Sequence, residues 1–161
     1  MELYSYQYYH ASKIFQFNQP RLNGLVSIIN AYHPKTVLDV GCGLGALVRE
    51  LQKQNIQAYG VDSAIVLKSI WGKDVKNLSI APADMLPFAD QSFDIVFSSD
   101  FFEHIPEEEI ESVRKEMIRV GKVVLARVAY EDKLTKKQAL YHVTNKKKEW
   151  WEDKLQGVIL V

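Results

Sequence analysis

One stretch constrains this chain more than any other: Thr36-Val-Leu-Asp-Val40, then Gly41-Cys-Gly-Leu-Gly45, then Ala46-Leu-Val-Arg-Glu-Leu. A short β-branched run that ends in glycines predicts a buried strand. Ala46 to Gln54, with Leu47 and Leu51 on one face, predicts a helix. The glycines between them let the backbone turn tightly and come close to a ligand, and the helix start offers free N–H groups. The loop alone leaves alternatives open. Gly41, Gly43 and Ala46 also fit the dinucleotide spacing G-x-G-x-x-G/A, and a tight turn with no ligand fits as well.

The rest of the chain repeats the alternation. Pro20 to Ala31 predicts a helix, with Leu22, Leu25, Val26 and Ile29 at helical spacing. Ala58–Val61, Leu78–Ala81, Phe93–Ser98, Lys122–Ala126 and Gly157–Val161 read as further strands. Ser63 is the expected N-cap of a helix through Ile70. Pro106 is expected to open a helix with an acidic first turn (Glu107, Glu108, Glu109) and the apolar stripe Ile110, Val113, Met117, Val120. A last helix is expected around Lys147 to Leu155, with at most one of Trp150 and Trp151 deeply buried. Strands alternating with helices predict an α/β fold with a mainly parallel central sheet flanked by helices. Ligands of such sheets bind outside the carboxyl ends of the strands.

Composition narrows the class. The 161 residues suit one domain, read as 1–161 with an aromatic arm over 1–19 and a lysine-rich tail over 129–161. The arm holds Tyr4, Tyr6, Tyr8 and Tyr9 and is expected to pack back on the domain. The formal charge is zero, but residues 1–120 carry 11 basic and 15 acidic side chains, and 121–161 carry 9 and 5. A basic nucleic-acid footprint over the whole domain is therefore not expected. The lone Cys42 cannot form an internal disulfide or assemble a zinc cluster, and no metal is expected. No apolar run approaches a membrane span, and MELYSYQYYHASK lacks the basic start and apolar stretch of a signal peptide. A soluble, cytoplasmic protein is expected, and no oligomeric state is read.

The carboxylates around the glycine loop discriminate between ligands. Asp62 ends the second strand, 17 residues after Gly45, where it can accept bonds from both hydroxyls of a ribose. Asp39 beside the loop would repel a pyrophosphate and suit a cation. Asp84, in Ala83-Asp84-Met85-Leu86-Pro87-Phe88, could accept the amino group of an adenine.

With these residues in place, VLDVGCGLGALVREL, YGVDSA, ADMLPFADQSFDIVFSSDFFEHI and EMIRVGKVVL, in this order and spacing, resemble a class I S-adenosylmethionine-dependent methyltransferase of the group acting on small molecules. The resemblance covers roughly residues 36–128. His142-Val143-Thr144, the Trp150-Trp151 helix and Gly157-Val158 resemble the family's tail more loosely. It implies a Rossmann-like fold with S-adenosylmethionine as cofactor. Gly41, Cys42, Gly43 and Gly45 would line its methionine part, and Asp39 would meet its ammonium group. Asp62 and Ser63 would hold the ribose, Asp84 and Met85 the adenine. Ser98 and Ser99 would lie near the methionine moiety. The chain lacks the family's Pro-Gly turn at Val120-Gly121-Lys122, and the seventh, antiparallel strand that the family adds is not expected.

The expected chemistry is methyl transfer to an O or N atom of a small metabolite. A base is needed only where the acceptor must lose a proton. His104 is the first candidate, against the plain alternative of a histidine that caps or packs a helix start. Glu103, Asp100 and His142 follow it. A cofactor-binding or partner-binding module without catalysis, an RNA methyltransferase using the lysine tail, and a nucleotide-dependent oxidoreductase are the competing classes.

Overall fold

The computed structural model describes residues 19–65, 67–71, 76–131 and 142–161. The tyrosine arm and Lys133, Lys136 and Lys137 of the tail lie outside them. The elements run α1 (Gln19–Asn30), β1 (Thr36–Val40), α2 (Ala46–Lys53), β2 (Gln57–Asp62), α3 (Leu67–Ile70), β3 (Leu78–Ile80), β4 (Phe93–Ser99), a 3-10 turn (Phe102–His104), α4 (Ile110–Val120), β5 (Gly121–Arg127), α5 (Lys148–Lys154) and β6 (Ile159–Leu160). The sheet order is β3-β2-β1-β4-β5-β6, and every pairing is parallel. Among the described residues β6 pairs directly with β5 at Leu125↔Ile159 and Ala126↔Leu160, and no antiparallel strand joins the sheet. Strand order reverses between β1 and β4, so the crevice for a ligand falls at their carboxyl ends.

Both faces of a parallel sheet must be covered, and the strands read accordingly as near-continuous apolar runs. One face of the sheet packs Leu38, Val40, Val96 and Val124 with the α4 stripe Ile110, Val113, Met117 and Val120. The other packs Val37, Ile95, Phe97 and Leu125 with Leu22, Leu25, Val26 and Ile29 of α1 and Leu47, Val48 and Leu51 of α2. Each such side chain contributes about 1.5–3 kcal/mol when fully buried. At the end of the sheet away from the crevice, Asp94 fastens three strands. Its carboxylate accepts from the N–H groups of Lys35 (2.9 Å) and Thr36 (3.1 Å) and pairs with Lys122 at 2.8 Å. The Lys122 bond, with those two N–H groups, holds the Asp94 carboxyl well below the usual carboxylate range.

Two helix starts differ from the sequence expectation. Ser63 is an exposed bend residue with no capping bond among the described residues; the α3 helix begins only at Leu67. The Asp62 carboxylate takes the Ala64 N–H instead (2.9 Å), and an Asx turn replaces the first helical turn. After Pro106 the chain makes a tight turn, closed by Glu109 N–H to Pro106 O at 2.9 Å, and the regular helix starts at Ile110. The three glutamates therefore form the approach to α4. At its other end α4 runs straight into β5: Val120 is the last helical residue and Gly121 the first of the strand. A Cβ on Gly121 would sit 2.5 Å from Val96 Cγ2, which explains a glycine at a junction that has no loop. Trp151 has no exposed surface, while Trp150 is half-buried and packs against the edge of the same core, so only one of the two rings is deeply buried.

Candidate functional site

The glycine loop is stitched to the neighbouring strand. Gly41 and Cys42 both donate N–H to the Val61 carbonyl (2.9 and 3.0 Å), and Gly45 N–H closes back on Cys42 O (2.9 Å). Gly41 has φ +77°, and a Cβ there would fall 2.5 Å from Cδ2 of Phe101, so the position needs glycine for both conformation and space. Gly43 (φ +50°) faces open space instead, with nothing among the described residues within 4 Å of a Cβ. Its N–H donates to Asp62 Oδ2 (3.0 Å), and its carbonyl accepts the Trp71 indole N–H (2.8 Å).

Two carboxylates sit under this loop. Asp39, in β1, is only 5% exposed, and among the described residues no lysine or arginine pairs with it. Burial, then the like charge of Asp62, push its carboxyl up to about 7. Burial also raises Asp62, while the N–H groups of Ala64, Gly43 and Ser63 pull it back. Asp62 thus holds the loop in place and still has lone pairs to offer. The Cys42 side chain turns inward, where a Cβ on Gly60 would touch its Sγ at 2.8 Å. Burial, Asp39 and Asp62 together raise its thiol far above the usual value, so only its backbone can serve a ligand and it is no nucleophile.

The other expected positions are spread around the crevice. Ser98 is fully buried and Ser99 half-buried at the end of β4, and among the described residues neither hydroxyl oxygen has a hydrogen-bond partner. Asp84 and Met85 are on the loop after β3, both exposed, Met85 to 69%. Ser63 is exposed beside Asp62. Beyond β4, Asp100 adopts φ +50°, a conformation rare outside glycine, and its carboxylate binds the guanidiniums of Arg21 from α1 and Arg127 from β5. Both of its oxygens are engaged, and the carboxylate braces α1 against the sheet.

Glu103, expected as a loop acid, has no exposed surface. Its Oε1 accepts the Ala129 N–H (3.1 Å), its Oε2 has no partner among the described residues, and burial pushes its carboxyl up to about 7. His104 is half-buried in the 3-10 turn, and its ring meets that of His142 edge to face at 4.9 Å. Burial and His104 lower the His142 pKa. Phe101, Trp71, Arg21 and Arg127 carry no sequence signal for this site. Each reaches it from an element whose approach only the fold determines.

The family model described as a methyltransferase domain matches residues 38–123. Phosphoethanolamine N-methyltransferase 1 of Triticum aestivum is 31% identical over 108 residues, covering 62% of this chain and 20% of the relative. A probable chloroplastic tocopherol O-methyltransferase of Oryza sativa subsp. japonica is 36% identical over 84 residues, covering 47% and 23%. The chain thus spans about a fifth to a quarter of the length of these relatives. In fold it is similar to a SAM-dependent methyltransferase from Archaeoglobus fulgidus, with a TM-score of 0.76, 19% identity, and 94% of this chain and 73% of that one aligned.

Proposed function

The chain belongs to the methyltransferase-domain family of class I S-adenosylmethionine-dependent enzymes, and from that premise we propose that it transfers a methyl group to an O or N atom of a small metabolite. The observation that carries the reading is Asp39, a buried carboxylate with no lysine or arginine paired to it among the described residues and a second carboxylate close enough to raise its pKa. Such a pair is poorly served by the protein alone and well served by a cationic ligand bearing a diol. Among the described residues, the open space over Gly43 and the unpartnered hydroxyls of Ser98 and Ser99 fit the same group.

In this reading Asp39 holds the cofactor's ammonium group. The backbone of Gly41, Cys42, Gly43 and Gly45, with Ser98 and Ser99, surrounds its methionine part. Asp62 and Ser63 take the ribose, and Asp84 and Met85 the adenine. When bound, the cofactor supplies a methyl group already activated on a sulfonium, ready for in-line displacement. The chain's work is then to align the acceptor and keep water out, through the Phe101 and Trp71 rings that flank the loop. His104 takes the proton of an acceptor that must lose one.

The wheat relative's name specifies an N acceptor and the rice relative's an O acceptor, so the acceptor atom stays open between them. The reading takes residues 1–161 as one domain, in the cytoplasm, acting on a small molecule rather than nucleic acid. Two of the tail lysines are already paired, Lys146 with Glu107 (2.8 Å) and Lys148 with Glu152 (3.0 Å). Among the described residues no helix is long and apolar enough to cross a membrane.

Titration calorimetry with S-adenosylmethionine, its demethylated product and NAD tests the cofactor. The first two are expected to bind in the micromolar range and NAD not at all; tight NAD binding would sink the reading. Asp62→Ala is expected to weaken cofactor binding by roughly 1–3 kcal/mol, and Asp62→Asn by less, because an asparagine there can still accept the Gly43 N–H. Unchanged affinity in both would remove Asp62 from the site. Methyl-transfer assays on metabolite pools and on RNA then test the acceptor. Binding without turnover on any pool would favour a module without catalysis.

A further inference from the structure

We propose that Glu103, His104 and His142 form a binding site for a divalent transition-metal cation of the zinc class. The proposal stands on the geometry of these three side chains and does not rest on methyl transfer; with a cation bound, His104 would serve as a ligand and not as the base of that reading. Each offers a ligand atom, and the three atoms lie within 4.8 Å of one another. Metal–ligand distances of about 2.0–2.2 Å place ligand atoms roughly 3–4 Å apart, so small side-chain rotations close the set around an ion.

Two segments distant in the chain supply the cluster. Glu103 and His104 are neighbours in the 3-10 turn, and His142 arrives from beyond β5. Two bonds clamp its segment to the turn: Thr144 N–H to Glu103 O (3.1 Å) and Thr144 Oγ1 to Ile105 O (2.7 Å), the second fully buried. That clamp seats the His142 ring against the His104 ring.

Two side chains of the cluster carry buried polar atoms with unmet demand. Among the described residues, Oε2 of the fully buried Glu103 has no hydrogen-bond partner, and neither has the buried Nδ1 of His142. The Ala129 N–H fixes the other Glu103 oxygen, the kind of outer contact that orients a ligating carboxylate. The cations that act on Glu103, Arg127 and Arg21, are both bonded to Asp100, which moderates their repulsion of an ion. Two imidazoles and one carboxylate suit Zn, Co, Ni or Fe rather than Mg or Ca, and three protein ligands leave a coordination position open.

The test uses the full chain, stripped with chelator and titrated with Co2+, whose ligand-field absorption reports coordination without any assay of activity. One Co2+ per chain is expected, with nitrogen and oxygen ligation, displaced stoichiometrically by Zn2+. His142→Ala, His104→Ala and Glu103→Gln should each weaken binding at least about tenfold, since each removes one of three ligands. Should Glu103→Gln fail to fold, His142→Ala, at a half-buried loop position, carries the test. No uptake of Co2+, an affinity unchanged by the histidine variants, or a thiolate-to-cobalt band placing the ion on Cys42 would overturn the proposal.

Discussion

Asp39→Asn is expected to make the ligand-free protein more stable at pH 8 and to weaken its hold on S-adenosylmethionine. The two effects share one cause. Asp39 is buried at the end of β1 and repelled by Asp62, so the folded protein binds its proton more tightly than the unfolded chain does, with a folded pKa of about 7. The penalty for ionising it is complete above about pH 7, shrinks as pH falls through that value, and vanishes in the usual carboxylate range. A tenfold change in proton affinity is about 1.4 kcal/mol, so the penalty at pH 8 has a ceiling of about 4 kcal/mol. Asparagine keeps the shape but buries an amide that must find hydrogen bonds, which leaves a net gain of roughly 1–2 kcal/mol. Melting temperatures of both proteins at pH 8 and pH 5 check this, and a gap that does not narrow towards pH 5 would contradict it. Wild-type affinity for the cationic cofactor should rise with pH through about 7. The Asp39→Asn variant should lose roughly 1–3 kcal/mol of binding together with that rise.

Trp151→Ala is expected to cost roughly 3–5 kcal/mol of folding stability. The ring has no exposed surface and packs against Trp150 (centroids 4.9 Å, near-perpendicular) and Phe102 (6.5 Å). Phe102 lies in the same turn as Glu103 and His104, so the cavity would open beneath the candidate site. Trp151→Phe should cost much less, under about 2 kcal/mol. It leaves a smaller void and removes an indole N–H that is buried without a partner among the described residues. Denaturant midpoints at constant slope measure both. A loss below about 1 kcal/mol for the alanine variant would mean that α5 is not part of the core.

The parts of this molecule that were legible in sequence are those specified locally. The glycine loop needs left-handed backbone at Gly41, Gly43 and Gly45, and the residues that supply it are adjacent in the chain. The α4 stripe is legible because helical period and burial coincide at Ile110, Val113, Met117 and Val120. The start of that helix was not. Pro106 and three glutamates fit a helical first turn as well as they fit the tight turn that forms, and hydrogen bonding at Glu109 decides between them. The brace at Asp100 and the cluster at Glu103 depend on segments far apart in the chain. Arg21 arrives from α1, Arg127 from β5 and His142 from beyond it, and no spacing rule links them to the 3-10 turn.

The absence of any loop between α4 and β5 also bears on how the protein tolerates changes of length. A connecting segment usually absorbs an inserted or deleted residue, but here the first strand residue directly follows the last helical one. One added residue would slide β5 a single step along its neighbours, and a single step exchanges the two faces of a strand. Val124 and Leu125 would trade cores, and Arg127 would swing away from Asp100. Across homologous chains, gaps should therefore gather elsewhere, and this junction should keep its length even where its residues drift.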